Sequence, residues 1–101
     1  MVIIERQIQK VRASKWAELE ELDKKFAAVE SHLGFPAKRR SRSLVGGLTT
    51  DALIIERQWE SFAVLEATYE KALTDPEHQA LSGEAELILG SQQIEFYVPL
   101  P

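Results

Sequence analysis

His78 and Tyr69 are the side chains of this 101-residue chain best suited to moving a proton. His78 falls near the third position of a helix opened by Asp75-Pro76-Glu77, where its ring can face a cavity and act as acid or base near neutral pH. Tyr69 lies nine residues earlier on the apolar stripe of another helix, from which its hydroxyl can bond a phenolic or enolate substrate beside that histidine. The plainer alternatives are helix capping or surface packing for His78 and core packing for Tyr69. Trp16 and Trp59 begin or precede the first two helices and can floor an aromatic ligand pocket, or simply pack. Arg6 and Arg57 stand on otherwise apolar strands, and a half-buried guanidinium needs an anion. That anion is either a substrate carboxylate or, more simply, Glu5, Glu56 or a carboxylate of a second subunit.

Other chemistry is excluded early. Two lone histidines, His32 and His78, have no carboxylate at ligand spacing, so no metal site is expected. His32, near the end of its helix, complements the C-terminal dipole. With no cysteine there is no disulfide, thiolate ligand, iron-sulfur cluster or cysteine nucleophile. No cofactor is called for. The basic run Lys38-Arg39-Arg40 with Arg42 can attract an acidic ligand, or guard an edge strand against aggregation. A formal charge of −4 argues against nucleic acid as a partner. The absence of a long apolar run argues against a membrane span, and the start Met1-Val2-Ile3-Ile4-Glu5 lacks the pattern of a secretory signal, which makes the cytoplasm the expected location.

These groups must be positioned by an α+β scaffold. Val2 to Val11 reads as a strand with Val2, Ile4, Arg6 and Ile8 on one face and Ile3, Glu5, Gln7, Gln9 and Val11 on the other. Ser14 is placed to cap a helix carrying Trp16, Leu19, Leu22, Phe26, Val29 and Leu33 at helical spacing, which Gly34 and Pro36 end. Ala37 to Val45 reads as a polar edge strand, Gly46-Gly47 with Thr49-Thr50-Asp51 as turn chemistry, and Ala52 to Trp59 as a third strand. A helix over Ser61 to Leu73 carries Phe62, Leu65, Tyr69 and Leu73. Another begins at the Asp75 cap with Pro76 in its first turn and reaches no further than Gly90, with Gly83 a weak point. Gln93 to Leu100 alternates as a last strand. The order β-α-β-β-α-(α)-β in one domain over residues 1–101 predicts a ferredoxin-like, four-stranded antiparallel sheet. Strands one and three should be central and the helices on one face.

Ile3-Ile4-Glu5-Arg6-Gln7 recurs unchanged as Ile54-Ile55-Glu56-Arg57-Gln58. If a pseudo-two-fold axis relates the two copies, equivalent residues share a face and paired positions have an odd residue-number sum. Sums of 61 and 63 oppose Glu5 to Glu56 or Arg6 to Arg57, so a sum of 59 or 65 is expected. The face without helices carries Ile, Val and aromatic residues amid Glu and Gln, and a second copy of the chain is expected to cover it.

Two stretches resemble the dimeric α+β-barrel superfamily, which includes NIPSNAP-like, antibiotic-biosynthesis monooxygenase-like and stress-responsive barrel domains. Val11-Arg12-Ala13-Ser14-Lys15 leading into Trp16-Ala17-Glu18-Leu19 resembles their strand-turn-helix opening, with Ala13-Ser14 where Pro-Gly is common. Asp75-Pro76-Glu77-His78-Gln79-Ala80 resembles the short helix motif before the last strand. The resemblance implies a homodimer whose two sheets form a shared barrel, and a ligand cavity between each sheet and its own helices. It implies no single function, because members include cofactor-free monooxygenases, haem-degrading enzymes, polyketide cyclases and proteins without known activity. The expectation is a homodimeric small-molecule-binding protein, acting on an aromatic or polyketide-like substrate through His78 and Tyr69. A non-catalytic dimerisation or protein-interaction domain is the alternative. A monooxygenase stabilising a substrate anion with asparagine is disfavoured, since the chain contains none. A cavity lined by Tyr69, His78 and a tryptophan would favour the binding protein; a filled space would favour the interaction domain.

Overall fold

The computed structural model describes residues 1–45 and 51–101. The expected Gly46-Gly47 and Thr49-Thr50 turn lies outside the described residues. The elements are β1 (Ile3–Val11), α1 (Trp16–Leu33), β2 (Lys38–Arg42), β3 (Ala52–Trp59), α2 (Phe62–Thr74), α3 (Pro76–Ile88) and β4 (Leu89–Tyr97). They form one antiparallel sheet in the order β2-β3-β1-β4, with the central strands adjacent as the ferredoxin-like pattern requires.

Local chemistry explains most boundaries. Gly34 ends α1 in the left-handed region at φ 93°, and its amide and that of Phe35 close onto Ser31 and Glu30 carbonyls. The Ser61 hydroxyl accepts from the Val64 amide at 3.2 Å and starts α2. Asp75 accepts from the His78 amide at 2.8 Å with Pro76 at the first helical position, so α3 starts where expected and fixes where His78 sits. Gly83 remains inside α3, which passes directly into a β4 that begins at Leu89, earlier than expected. Ser14 does not cap α1. It takes the left-handed turn at φ 64°, and Lys15 occupies the capping position without a side-chain bond.

The α2 stripe is also rotated from expectation. Phe62 is 57% and Leu73 71% exposed, while Leu65, Thr68 and Ala72 are buried and Tyr69 half-buried. Thr68 can face the interior because its hydroxyl donates to the Val64 carbonyl at 2.7 Å.

The pairing of β1 with β3 overturns the expected register. Ile3 faces Trp59, Glu5 faces Arg57 and Arg6 faces Glu56, a residue-number sum of 62. The two Ile-Ile-Glu-Arg-Gln segments are therefore not structurally equivalent. The even sum puts Glu5 and Arg57 on the helix side and Arg6 and Glu56 on the open side, so each acid meets a base instead of its own repeat. On the open face Arg39, Glu56, Arg6 and Glu95 are successive pairing partners across β2, β3, β1 and β4. Their charges alternate in sign. Ile8 and Ile54 face each other in the next row.

On the helix side the apolar core is split. One cluster gathers Val11, Leu19, Leu22, Val29, Leu53, Ile55, Leu81, Ile88 and Leu89, and the other Ile3, Phe35, Trp59, Leu65 and Ala72. The central helix-facing residues of β1 are polar: Glu5, Gln7 and Gln9. Among the described residues no helix is long and apolar enough to cross a membrane.

Candidate functional site

The split core leaves a cavity of about 540 Å³ between the helix-facing side of the sheet and the helices. That is within the range of small-molecule sites, roughly 300–1,000 Å³. Its lining includes Gln7, Gln9, Gln92 and Arg12 from the sheet region, Phe26, Phe35 and Tyr69 as aromatic wall, and His78 and Ser82 from α3.

Glu5 organises the wall behind it. Its side chain is fully buried and accepts from four groups: Tyr69 Oη at 2.8 Å and Trp59 Nε1 at 2.9 Å on one oxygen, Gln7 Nε2 at 2.6 Å and Arg57 Nη1 at 3.2 Å on the other. A charge removed from water survives only with such compensation. Arg57 continues the chain, with Nη2 2.6 Å from Glu30 Oε2. That approach is close but poorly aligned, an ion contact more than a hydrogen bond, and Arg57 Nε has no acceptor. Lys38 bridges Glu30 at 3.0 Å and Asp23 at 2.7 Å. Asp23 meets Arg40 Nε at 2.5 Å, and Arg40 grips Glu20 with two nitrogens at 3.0 and 2.8 Å. Charges thus alternate from the buried Glu5 to the exposed Glu20. The Arg40 hydrogen bond holds Glu20 below the usual carboxylate range and lifts Arg40 above the usual guanidinium one.

The six residues singled out in the sequence are not gathered into one site. Tyr69, His78 and Arg57 line the cavity. The His78 ring lies nearly parallel to Phe35 at 6.2 Å and edge-on to Phe26 at 5.6 Å. Neither tryptophan lines it. Trp59 is buried behind Tyr69, 5.7 Å between ring centroids, and serves as a donor to Glu5. Trp16 lines a separate shallow cleft beside β2, with the Arg42 guanidinium 4.0 Å above its ring. Arg6 is exposed on the opposite face of the sheet, so Arg6 and Arg57 do not occupy equivalent places. Of the anions considered for Arg57, Glu5 is the one the structure supplies, joined by Glu30. Gln7, Gln9, Gln92, Phe26, Phe35 and Arg12 also line the cavity and are not among those six. The legible signal was the polar row at positions 5, 7 and 9 of a strand whose ends on that face are apolar.

Tyr69 is not free to give its proton to a ligand while Glu5 is charged. Burial above all, then the Glu5 charge and hydrogen bond, push its ionisation well above the usual phenol range. A folded-state value raised above the unfolded one stabilises fully below the ordinary phenol range and progressively less above it. Stability should therefore fall between about pH 10 and 12 by at most about 1.4 kcal/mol per pH unit from this group. Tyr69→Phe should flatten that part of the curve in denaturant titrations at each pH; an unchanged slope would show the hydroxyl uncoupled from folding.

Neither a protein-family model nor a curated protein matches the sequence. Solved structures match its backbone. A NIPSNAP family protein from Agrobacterium tumefaciens superposes with a TM-score of 0.84 at 19% identity, over 99% of this chain and 94% of that one. An uncharacterised NIPSNAP domain protein from Burkholderia xenovorans gives 0.83 at 18% identity, over 97% and 94% of the two chains. SnoaB, a cofactor-independent oxygenase from Streptomyces nogalater, gives 0.69 at 13% identity over 97% and 92%. Identities this low speak for backbone and not for chemistry. The chain has the α+β fold shared by NIPSNAP proteins and antibiotic-biosynthesis monooxygenase-like proteins.

Proposed function

We propose that the chain is one protomer of a homodimer that binds a small, largely planar organic molecule between its sheet and its helices, beside Tyr69, His78 and Arg57. The observation that carries this reading is the open cavity of about 540 Å³, which a purely structural interaction domain would fill with side chains. The aromatic wall suits a flat ring. With the Tyr69 proton committed to Glu5, His78 is the lining imidazole against which a polar substituent of the ring can be placed. A thermal-shift screen of aromatic small molecules tests the reading. A ligand at a hundredfold its Kd contributes about 2.7 kcal/mol, roughly 10–20 °C in a domain of this size. Ser82→Trp, which fills the cavity from α3, should abolish such shifts and His78→Ala should weaken them. Shifts that survive Ser82→Trp would place binding elsewhere.

The open face supports the dimer. Turned about a two-fold axis parallel to the strands and passing between β1 and β3, the row Arg39-Glu56-Arg6-Glu95 meets its copy with every base opposite an acid. Ile8 then meets Ile54 of the second copy. An in-plane axis across the strands would instead stack Arg6 on Arg6. Arg6→Glu should raise the dimer dissociation constant at least tenfold in sedimentation experiments. Arg6→Glu with Glu56→Arg should restore it, since the exchanged row is still self-complementary. A double variant as weak as the single one would exclude this packing.

A further inference from the structure

We infer that the cavity selects a neutral aromatic ring that donates hydrogen bonds, and that Glu5, which does not line the cavity, sets this preference. The inference rests on the small-molecule reading above and deepens it.

A carboxylate has no proton to give, so each of its four neighbours must aim a proton at it. For Tyr69 that proton is the sole one on its hydroxyl, and the oxygen is left with lone pairs for the cavity. For Gln7 the amide nitrogen must point at Glu5, which turns its carbonyl oxygen the other way. That oxygen accepts from Gln9 Nε2 at 3.2 Å and Gln92 Nε2 at 3.1 Å. Nitrogen and oxygen of an amide are hard to tell apart by shape, but the buried charge decides all three orientations in turn. The carbonyl oxygens of Gln9 and Gln92 have no donor among the described residues. The wall therefore offers three acceptors on Tyr69, Gln9 and Gln92 from one electrostatic cause.

An anionic ligand finds no uncompensated positive charge on this wall, for although Arg57 Nε has no acceptor, its guanidinium is already shared by two carboxylates. Arg57 stands between Glu5 and Glu30, and Lys38 between Glu30 and Asp23. A phenolate or carboxylate beside Tyr69 would meet its lone pairs with Glu5 directly behind. Burial, and then the Glu5 charge, oppose ionisation of Tyr69, and both oppose it in a phenol ligand enclosed beside that hydroxyl. Arg12 is the remaining cation of the lining. It lies seven residues after Glu5, just past the end of β1, is exposed to screening water, and donates its Nε–H to the Leu89 carbonyl at 3.1 Å. It can anchor a distal substituent but does not set the polarity of the Tyr69 end.

The test uses three probes of one shape: 2-naphthol, 2-methoxynaphthalene and 2-naphthoate, titrated at pH 7 by calorimetry or thermal shift. The unmodified protein should bind 2-naphthol at least tenfold tighter than either of the others. In Tyr69→Phe the preference over the methyl ether should shrink to about twofold, because the acceptor is gone while the ring is kept. In Glu5→Gln, and in Gln7→Met should that protein not fold, the discrimination against 2-naphthoate should fall at least fivefold. Structural damage alone weakens all three probes together and leaves their order unchanged; that result in the Glu5 and Gln7 variants would overturn the role given to Glu5. Tightest binding of 2-naphthoate would overturn the inference while leaving the cavity reading intact. Binding of none of them, or binding insensitive to Ser82→Trp, would overturn the cavity reading and the inference with it.

Discussion

Glu5→Ala should cost about 3–5 kcal/mol, a large part of the roughly 5–15 kcal/mol that holds a domain of this size together. The loss does not come from a cavity, which a shortened glutamate makes only modestly. It comes from what the carboxylate leaves behind. Arg57, 3% exposed, keeps a charge with its Nη1 unsatisfied, and Trp59, Tyr69 and Gln7 lose their acceptor in the dry interior. In urea the midpoint should fall by about 2 M, given a slope near 1.5–2 kcal/mol per molar. Tyr69→Phe alone, which removes one of the four bonds, should cost only about 1 kcal/mol. Added to Glu5→Ala it should cost almost nothing more, because both remove the same interaction. Additive losses would mean that Tyr69 is held by something other than Glu5.

Much of the scaffold is legible in short-range chemistry. β3 runs from Ala52 to Trp59 as expected, Asp75-Pro76 starts α3, and Gly34 ends α1. Each boundary is decided within a few residues, by a cap, a φ angle or a missing amide proton. The strand order follows from the arrangement of strands and helices. The register and the choice of covered face are decided by long-range pairing, and there the sequence misleads. Both faces of β1 offer apolar residues, Ile4 and Ile8 on one, Ile3 and Val11 on the other. The repeated pentapeptide suggests that Glu5 and Glu56 are equivalent, yet one is fully buried and the other exposed.

The covered face is settled by charge partners that lie far apart in sequence. Glu5 has Arg57, and Arg57 has Glu30 from α1; the other face has Arg6 against Glu56 and Glu95. Only the first set can be enclosed by donors from β3 and α2. For the same reason three of the six residues, Trp16, Trp59 and Arg6, lie outside the cavity, whereas three glutamines that carry no reactive group form its polar wall. His78 at the start of α3 and Tyr69 on α2 are brought to the cavity by local rules, the glutamines by pairing across the sheet.

Arg57→Met separates the charge of this network from its packing, and its signature is a gain of stability on mild acidification that the unmodified protein lacks. At pH 7 the variant should be about 3–5 kcal/mol less stable, since Glu5 is left as an enclosed anion facing only neutral donors and Glu30 loses one of its two cations. Methionine has nearly the length of the arginine stem and can lie against Phe35, over which the guanidinium carbon now sits at 5.0 Å, so packing is largely kept. Protonation of the stranded carboxylate removes the penalty. The variant should therefore gain stability as acid is first added below pH 7. The unmodified protein should show no such gain: Arg40 holds Glu20 below its ordinary value, so that contribution is intact above the ordinary value and is lost only as pH falls through the lowered one, in the variant as well. Glu5→Gln combined with Arg57→Met should recover part of the loss at pH 7, because the two changes together leave no charge unpaired at that point of the chain. Parallel pH profiles for the variant and the unmodified protein would mean that Glu5 reaches water or another cation, and would end its part as the fixed charge around which the cavity wall is ordered.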